Sequence, residues 1–399
     1  MNIELISKLT SIAECIYSKY ENKQYIPQNW GIYDGNCGII LFLFYYARHT
    51  KNKKYEKLAE ILTTKLLDIF CYEINKHSFS GGLSGILYLL DFMKEQKFID
   101  VDISDCKKEI EDFLFKQMKK EIKRKHYDFM HGALGIGIYF LKVKTSTTFI
   151  FPLIDFLYET AEKDFSKKIF KWQSIINDER QERGYNISLS HGISSIVIFL
   201  SKVIQADIKN DRILIMLEGA VNYILSQEIH ENKTLSLFPS QSLENNEYSR
   251  QSKYSRLAWC YGDLGVGLAL FQAGKSIQNK EWYEKGLQIL KRSTSRKDLY
   301  QNHVIDTGIC HGSTGVAMIF NRLYLETNDF LFFDTSQYWL NVTLTMDHFK
   351  DGLIGYKTYC RNKWQKDYSL LTGISGIGIF LLSALYKDRQ EWDNIFLLT

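Results

Sequence analysis

Two cysteines and a histidine, each just ahead of a glycine, carry the clearest chemistry in this sequence. They are Cys260 in Trp259-Cys260-Tyr261-Gly262 and the adjacent pair in Cys310-His311-Gly312. Counted from the glycine that closes each motif, both cysteines fall at minus two and His311 falls at minus one. Two thiolates and an imidazole suit Zn2+, and they leave a fourth tetrahedral position open, which is the pattern of a catalytic site rather than a closed structural one. Neighbouring residues on a regular helix diverge by about 100°. Cys310 and His311 can therefore share one ion only from a loop. Cys15, Cys37, Cys71, Cys106 and Cys360 are scattered without such a context and read as packing residues.

The elements that would position these residues are announced by repetition. Tyr33-Asp34-Gly35-Asn-Cys-Gly38, Ser80-Gly81-Gly82-Leu-Ser-Gly85, Met130-His131-Gly132-Ala-Leu-Gly135, Ser190-His191-Gly192-Ile-Ser-Ser195 and Leu371-Thr372-Gly373-Ile-Ser-Gly376 join the two cysteine-bearing copies to make seven. First glycines succeed one another at intervals of about 50 to 70 residues, the length of two helices with their connections. Each copy opens an apolar run, as in Gly38-Ile-Ile-Leu-Phe-Leu-Phe-Tyr-Tyr-Ala. The segment ahead of it is amphipathic, as across 54–70, where apolar residues recur every three or four positions. The alternation predicts a helix buried on most sides after each glycine motif and an outer helix with one wet face before it.

Seven such pairs predict an all-α fold, an α/α toroid of seven inner and seven outer helices in a single domain over 1–399, with an open solenoid as the lesser alternative. Glycines at the start of each inner helix let the loop turn sharply. In a closed ring those loops meet at one mouth, where the chemistry is expected. Residues 226–256 are the most polar stretch and read as a long loop or small insertion at that mouth.

Other polar residues sit at comparable positions. His131 and His191 each precede a repeat glycine, and a lone histidine in such a place is as readily structural as functional. Asp128 and Arg256 lie four and six residues ahead of their glycines, close enough to reach the mouth, yet a surface charge or a helix cap would fit them equally well. Spacing alone does not select them.

Composition bounds the rest. The chain has 399 residues, 45% of them hydrophobic and 24% charged, with three prolines and no Ser/Gly-rich linker, which favours one continuous folded architecture. A formal net charge of +4, without arginines interleaved with aromatics, excludes a nucleic-acid reading. No apolar run approaches the roughly 18 residues of a spanning helix, and the first residues lack a signal-peptide pattern. Seven cysteines without a short-spaced framework point to a reducing compartment, with free thiols or metal ligands rather than disulfides. The expectation is a cytoplasmic protein that meets membranes only through partners.

Taken in order on a sevenfold repeat, Tyr127-Asp128-Phe-Met-His-Gly132, Ser190-His191-Gly192, Ser255-Arg256-Leu-Ala-Trp259-Cys260-Tyr261-Gly262 and Cys310-His311-Gly312 resemble the lanthipeptide cyclase family, the C components of lanthionine synthetases, over essentially the whole chain. The resemblance implies the toroid, Cys260, Cys310 and His311 as zinc ligands, and His191, Arg256, Asp128 and Tyr261 as the polar residues around the metal. It also implies Michael addition of peptide cysteine thiols to dehydroalanine or dehydrobutyrine in a dehydrated precursor peptide. In that chemistry His191 is the proton donor, Asp128 orients it, and Arg256 supports the enolate, with Tyr261 second in line. Leu257, where relatives often carry an acidic residue, and Ser195, in place of a glycine, depart from the pattern. The length resembles a stand-alone cyclase working beside a separate dehydratase and a transporter. Two alternatives remain: a zinc-dependent thiol alkyltransferase of the prenyltransferase type, and a glutathione- or peptide-binding scaffold that forms no rings.

Overall fold

The structure, a computed structural model, describes residues 2–21, 28–143, 147–177, 180–231, 234–246, 253–386 and 391–399. Among them the chain alternates buried and amphipathic helices. The buried series is α2 (Asn36–Thr50), α4 (Leu83–Glu95), α6 (Ala133–Lys142), α8 (Ile193–Gln205), α10 (Asp263–Ser276), α12 (Ser313–Thr327) and α14 (Ile374–Tyr386). The amphipathic series is α1 (Asn2–Glu21), α3 (Lys53–Phe70), α5 (Ser104–Lys123), α7 (Phe151–Thr160), α9 (Asp211–Leu225), α11 (Lys280–Ser293) and α13 (Phe330–Thr345). Each helix of the first series begins one residue after the first glycine of a copy.

The two series start by different means. Helices α3, α9, α11 and α13 open on Asn52, Asn210, Asn279 and Asp329, whose side chains accept a backbone N–H of the first turn. A glycine has no side chain to do this. Instead, the residue after the glycine donates its N–H to the carbonyl six residues before the glycine: Leu83 to Lys76 (2.8 Å), Ala133 to His126 (3.1 Å), Ile193 to Asn186 (2.8 Å) and Ser313 to Asp306 (3.0 Å). Each loop thus closes on itself with its minus-one and minus-two residues at a fixed place. The second glycine is a packing requirement. A Cβ on Gly315 would stand 1.8 Å from the carbonyl oxygen of Ile309. Where Ser195 replaces that glycine, its buried hydroxyl donates to the Gly192 carbonyl at 2.6 Å.

Two compact units make up the chain. The first comprises 1–112 and 305–392. In it α2 packs on α3, α12 on α13, and α14 against α1, while α12, α14, α2 and α4 neighbour one another in that order. The second comprises 113–304 and 393–399. In it α10 packs on α11 and α8 on α9, with α6, α8 and α10 successive neighbours. Helices α2, α10 and α12 pack chiefly on the amphipathic helix that follows each, across turns as short as Lys51-Asn52.

The burial pattern explains the pairing. In α10 every residue from Asp263 to Gly274 is buried, whereas α11 buries one stripe, Trp282, Gly286, Ile289, Leu290 and Ser293. The minus-two positions are joined by backbone bonds within each unit. Cys310 donates to the Leu371 carbonyl (3.0 Å), Leu371 to Tyr33 (2.9 Å) and Tyr33 to Ser80 (3.1 Å), and in the second unit Ser190 donates to Cys260 (3.3 Å).

Two findings depart from the sequence reading. Cys71, at the end of α3, and Cys106, in the first turn of α5, form a disulfide, which corrects the expectation of free thiols only. The two lie 35 residues apart, and only the folding of α3 against the start of α5 makes them neighbours. Three antiparallel hairpins interrupt the helices: β1 (Glu162–Asp164) with β2 (Ile169–Lys171), β3 (Gln173–Asn177) with β4 (Glu182–Tyr185), and β5 (Thr358–Cys360) with β6 (Lys363–Gln365). Residues 232–233 and 247–252 of the polar 226–256 stretch lie outside the described residues, and the others in it form neither helix nor strand. No described helix is long and apolar enough to cross a membrane.

Candidate active site

His311 is held from behind. Its Nε2 lies 3.3 Å from a carboxylate oxygen of Asp306 and 3.3 Å from the carbonyl of Tyr359, the latter carried by β5. Asp306 is fully buried and firmly placed: one oxygen accepts the Gly308 N–H (3.1 Å), and the other accepts the Thr358 hydroxyl (3.1 Å) and the Tyr359 N–H (2.9 Å). A carboxylate and a carbonyl both accept, so Nε2 carries the hydrogen and the lone pair of the ring is on Nδ1. This is how an imidazole is oriented to bind a metal through its other nitrogen. Cys310 beside it is fixed by its N–H bond to Leu371.

Cys260 lies in the loop that starts α10, and its carbonyl accepts the N–H groups of Leu189 (3.1 Å) and Ser190 (3.3 Å). Gly262 adopts φ +92°, a left-handed conformation suited to glycine, and a Cβ there would also strike Ser255. Behind this loop is a buried ion pair. Arg296 donates to Asp263 (3.0 Å) and to the carbonyl of Ser255 (2.6 Å), while Asp263 also accepts the N–H groups of Leu237 and Phe238. The polar 226–256 stretch is thereby tied to the first residue of α10.

His191 follows the two residues bonded to Cys260. Its Nδ1 is 2.6 Å from Asp128, whose other oxygen accepts the His131 N–H at 2.7 Å. Burial alone would push the Asp128 carboxyl up, but the charge and hydrogen bond of His191, followed by those of His131, hold it below the usual carboxylate range. Asp128 is thus an ionised acceptor, and Nδ1 of His191 is the donor to it. Nε2 is then the nitrogen able to exchange a proton. The rings of His131 and His191 stack at 5.8 Å, and Tyr261 lies 6.3 Å from His191. All four residues line a cavity of about 390 Å³, together with residues of β3 and β4. Arg256 is half-buried in the Cys260 loop and is not among the residues lining that cavity.

Among the described residues, Cys260, Cys310 and His311 are the group that could hold a metal ion. The three residues read from the sequence as ligands thus fall in one candidate group, and His191, Asp128 and Tyr261 line one cavity of the second unit. Asp306, Asp263, Arg296 and the β3–β4 hairpin escaped the sequence reading. Asp306 could have been found from its position, since it stands six residues before Gly312, where Asn186 and Asp367 stand before Gly192 and Gly373. Nothing local marks the others.

Glycine-started inner helices with a Cys, Cys and His group in their loops define a class, and the comparisons agree with it. The chain belongs to the lanthionine synthetase C-like protein family, whose model matches residues 26–397. The solved structure of nisin cyclase matches with a TM-score of 0.78 at 18% identity, over 97% of this chain and 96% of that one, so the fold is the α/α toroid. The nisin biosynthesis protein NisC of Lactococcus lactis subsp. lactis is 23% identical over 324 residues, 74% of each chain. Glutathione S-transferase LANCL1 of Danio rerio is 23% identical over 265 residues, 66% of this chain but only 58% of that relative.

Proposed function

We propose that this protein is a zinc-dependent lanthipeptide cyclase, acting in the cytoplasm on a dehydrated precursor peptide beside a dehydratase and a transporter. The observation that carries the reading is the grouping of Cys260, Cys310 and His311, with Asp306 fixing His311 so that its free lone pair is on Nδ1. The donor set fits the ion: two soft thiolates and one oriented imidazole, with a coordination position left for substrate. Zinc held by these three residues would acidify a peptide thiol and so provide a thiolate at neutral pH.

Addition of the peptide sulfur to the β-carbon of dehydroalanine or dehydrobutyrine moves the alkene electron pair onto the carbonyl oxygen, and the α-carbon then requires a proton. Nε2 of His191 delivers that proton, while Asp128 fixes the ring and balances its charge. Tyr261, on the wall of the same cavity, offers a hydroxyl to the enolate oxygen, and Arg256 supplies positive charge from the Cys260 loop. The product has the mass of the substrate, with one free thiol fewer. Incubation of the protein with a dehydrated precursor, followed by thiol alkylation and mass measurement, tests this. Loss of alkylatable thiol at unchanged mass is expected, and no loss would reject the activity.

The relative named a glutathione S-transferase favours one second reading, in which the thiol belongs to glutathione and the acceptor is a soluble electrophile. Glutathione with such an electrophile, run in parallel, discriminates the two. Conjugation there without ring formation in the peptide would select the second reading.

A further inference from the structure

The cavity beside His191 is lopsided in charge. Arg124, Lys125 and Arg183 line it, and the carboxylate in its wall, Asp128, is committed to His191 and to the His131 N–H. Arg124 is already paired with the buried Glu121 at 3.2 Å. Among the described residues no carboxylate forms an ion pair with Lys125 or Arg183. Glu162 shares a neighbouring cavity with both of them, and there it accepts the Tyr185 hydroxyl at 2.6 Å.

Both cations are presented from fixed backbone. Lys125 takes φ 55° at the end of α5, where its own N–H bonds to Ile122 (3.0 Å) and the next residue's N–H bonds to Glu121 (2.9 Å). Arg183 sits on β4 opposite Ile175, with its guanidinium 3.4 Å from the Gln173 carbonyl. Two positive groups with no ion-pair partner among the described residues, in a recess of about 390 Å³, favour an anion over water alone, and the recess has room for a side chain or a chain end rather than a whole peptide.

We propose that this cavity is a subsite for a carboxylate of the peptide, lying a few residues from the dehydro residue whose α-carbon His191 protonates. The placement beside a dehydro residue rests on the cyclase reading; the anion preference of the cavity does not. The carboxylate has two sources, an Asp or Glu side chain or the free C-terminus of the peptide, and the test separates them.

Four dehydrated peptides would be compared, carrying Glu or Gln near the dehydro residue and ending in either an acid or an amide. For the wild type, kcat/KM should be about tenfold higher for the carboxylate-bearing member of the decisive pair, the usual scale of one charge-assisted contact. The double variant Lys125→Glu with Arg183→Glu should abolish or invert that ratio. Lys125→Gln, which keeps the helix end intact, should halve the preference at least. Anisotropy with the unreactive serine-containing peptides should reproduce the ratios and weaken with salt. Equal rates on all four peptides, or an unchanged ratio in both variants, would overturn the subsite while leaving the cyclase reading standing. A binding ratio without any ring formation would uphold the subsite and reject the cyclase reading.

Discussion

Replacing Asp306 by asparagine probes the centre from behind, without touching a ligand. The carboxylate meets donors on both oxygens: Gly308 N–H on one, and Tyr359 N–H, the Thr358 hydroxyl and His311 Nε2 on the other. An amide keeps one acceptor and turns the other into a donor. If the amide nitrogen faces Gly308, a single buried N–H loses its partner, at a cost of about 1–3 kcal/mol. If it faces Tyr359 and His311, two do, and the cost rises to about 2–6 kcal/mol, so the first orientation should prevail.

In either case His311 loses the ionic partner that fixes its ring, and zinc affinity should fall about 10–100-fold. Competition against a chromophoric chelator measures that affinity, and thermal melting of metal-free protein measures the cost to the fold. Cys310→Ala, which removes a ligand outright, marks complete loss on the same scale. Wild-type zinc affinity in Asp306→Asn would refute the orienting role, and so would a loss of fold equal to the loss of metal.

Three further outcomes are expected. His191→Ala should keep its zinc and its fold but slow ring formation by about 10²–10⁴-fold, as for loss of a general acid; normal cyclisation in the thiol-alkylation assay would remove it from the mechanism. Burial pushes the Lys202 ammonium down to about 8 from 10.5, so the folded chain binds fewer protons across that interval and wild-type stability rises with pH through it. Lys202 also donates to the Thr399 carbonyl, a bond that Lys202→Met removes, so the melting temperature of the variant relative to wild type should fall as pH rises from about 8 to 10.5, and a pH-independent difference would contradict this. Cys71→Ser opens a disulfide that spans 35 residues, which loop entropy values at about 3–4 kcal/mol, and reductant should lower the wild-type unfolding midpoint to that of the variant.

What the sequence determined by itself was everything periodic. A helix buried on all sides must be apolar on all sides, and the glycine in its first turn has no tolerated substitute where a Cβ would strike a carbonyl, as at Gly315. Residues numbered from those glycines can therefore be compared from loop to loop, and that comparison is what singles out Cys260, Cys310 and His311 as a candidate group. What depended on contacts between distant segments was silent. Asp306 supports His311 only once β5 brings Thr358 and Tyr359 alongside, and Arg296 grips the Cys260 loop across some forty residues of chain. The Cys71–Cys106 bond and the hairpin carrying Arg183 are of the same kind. Such partners are chosen by proximity in the folded chain, and short polar segments carry no period that would reveal in advance what they will touch.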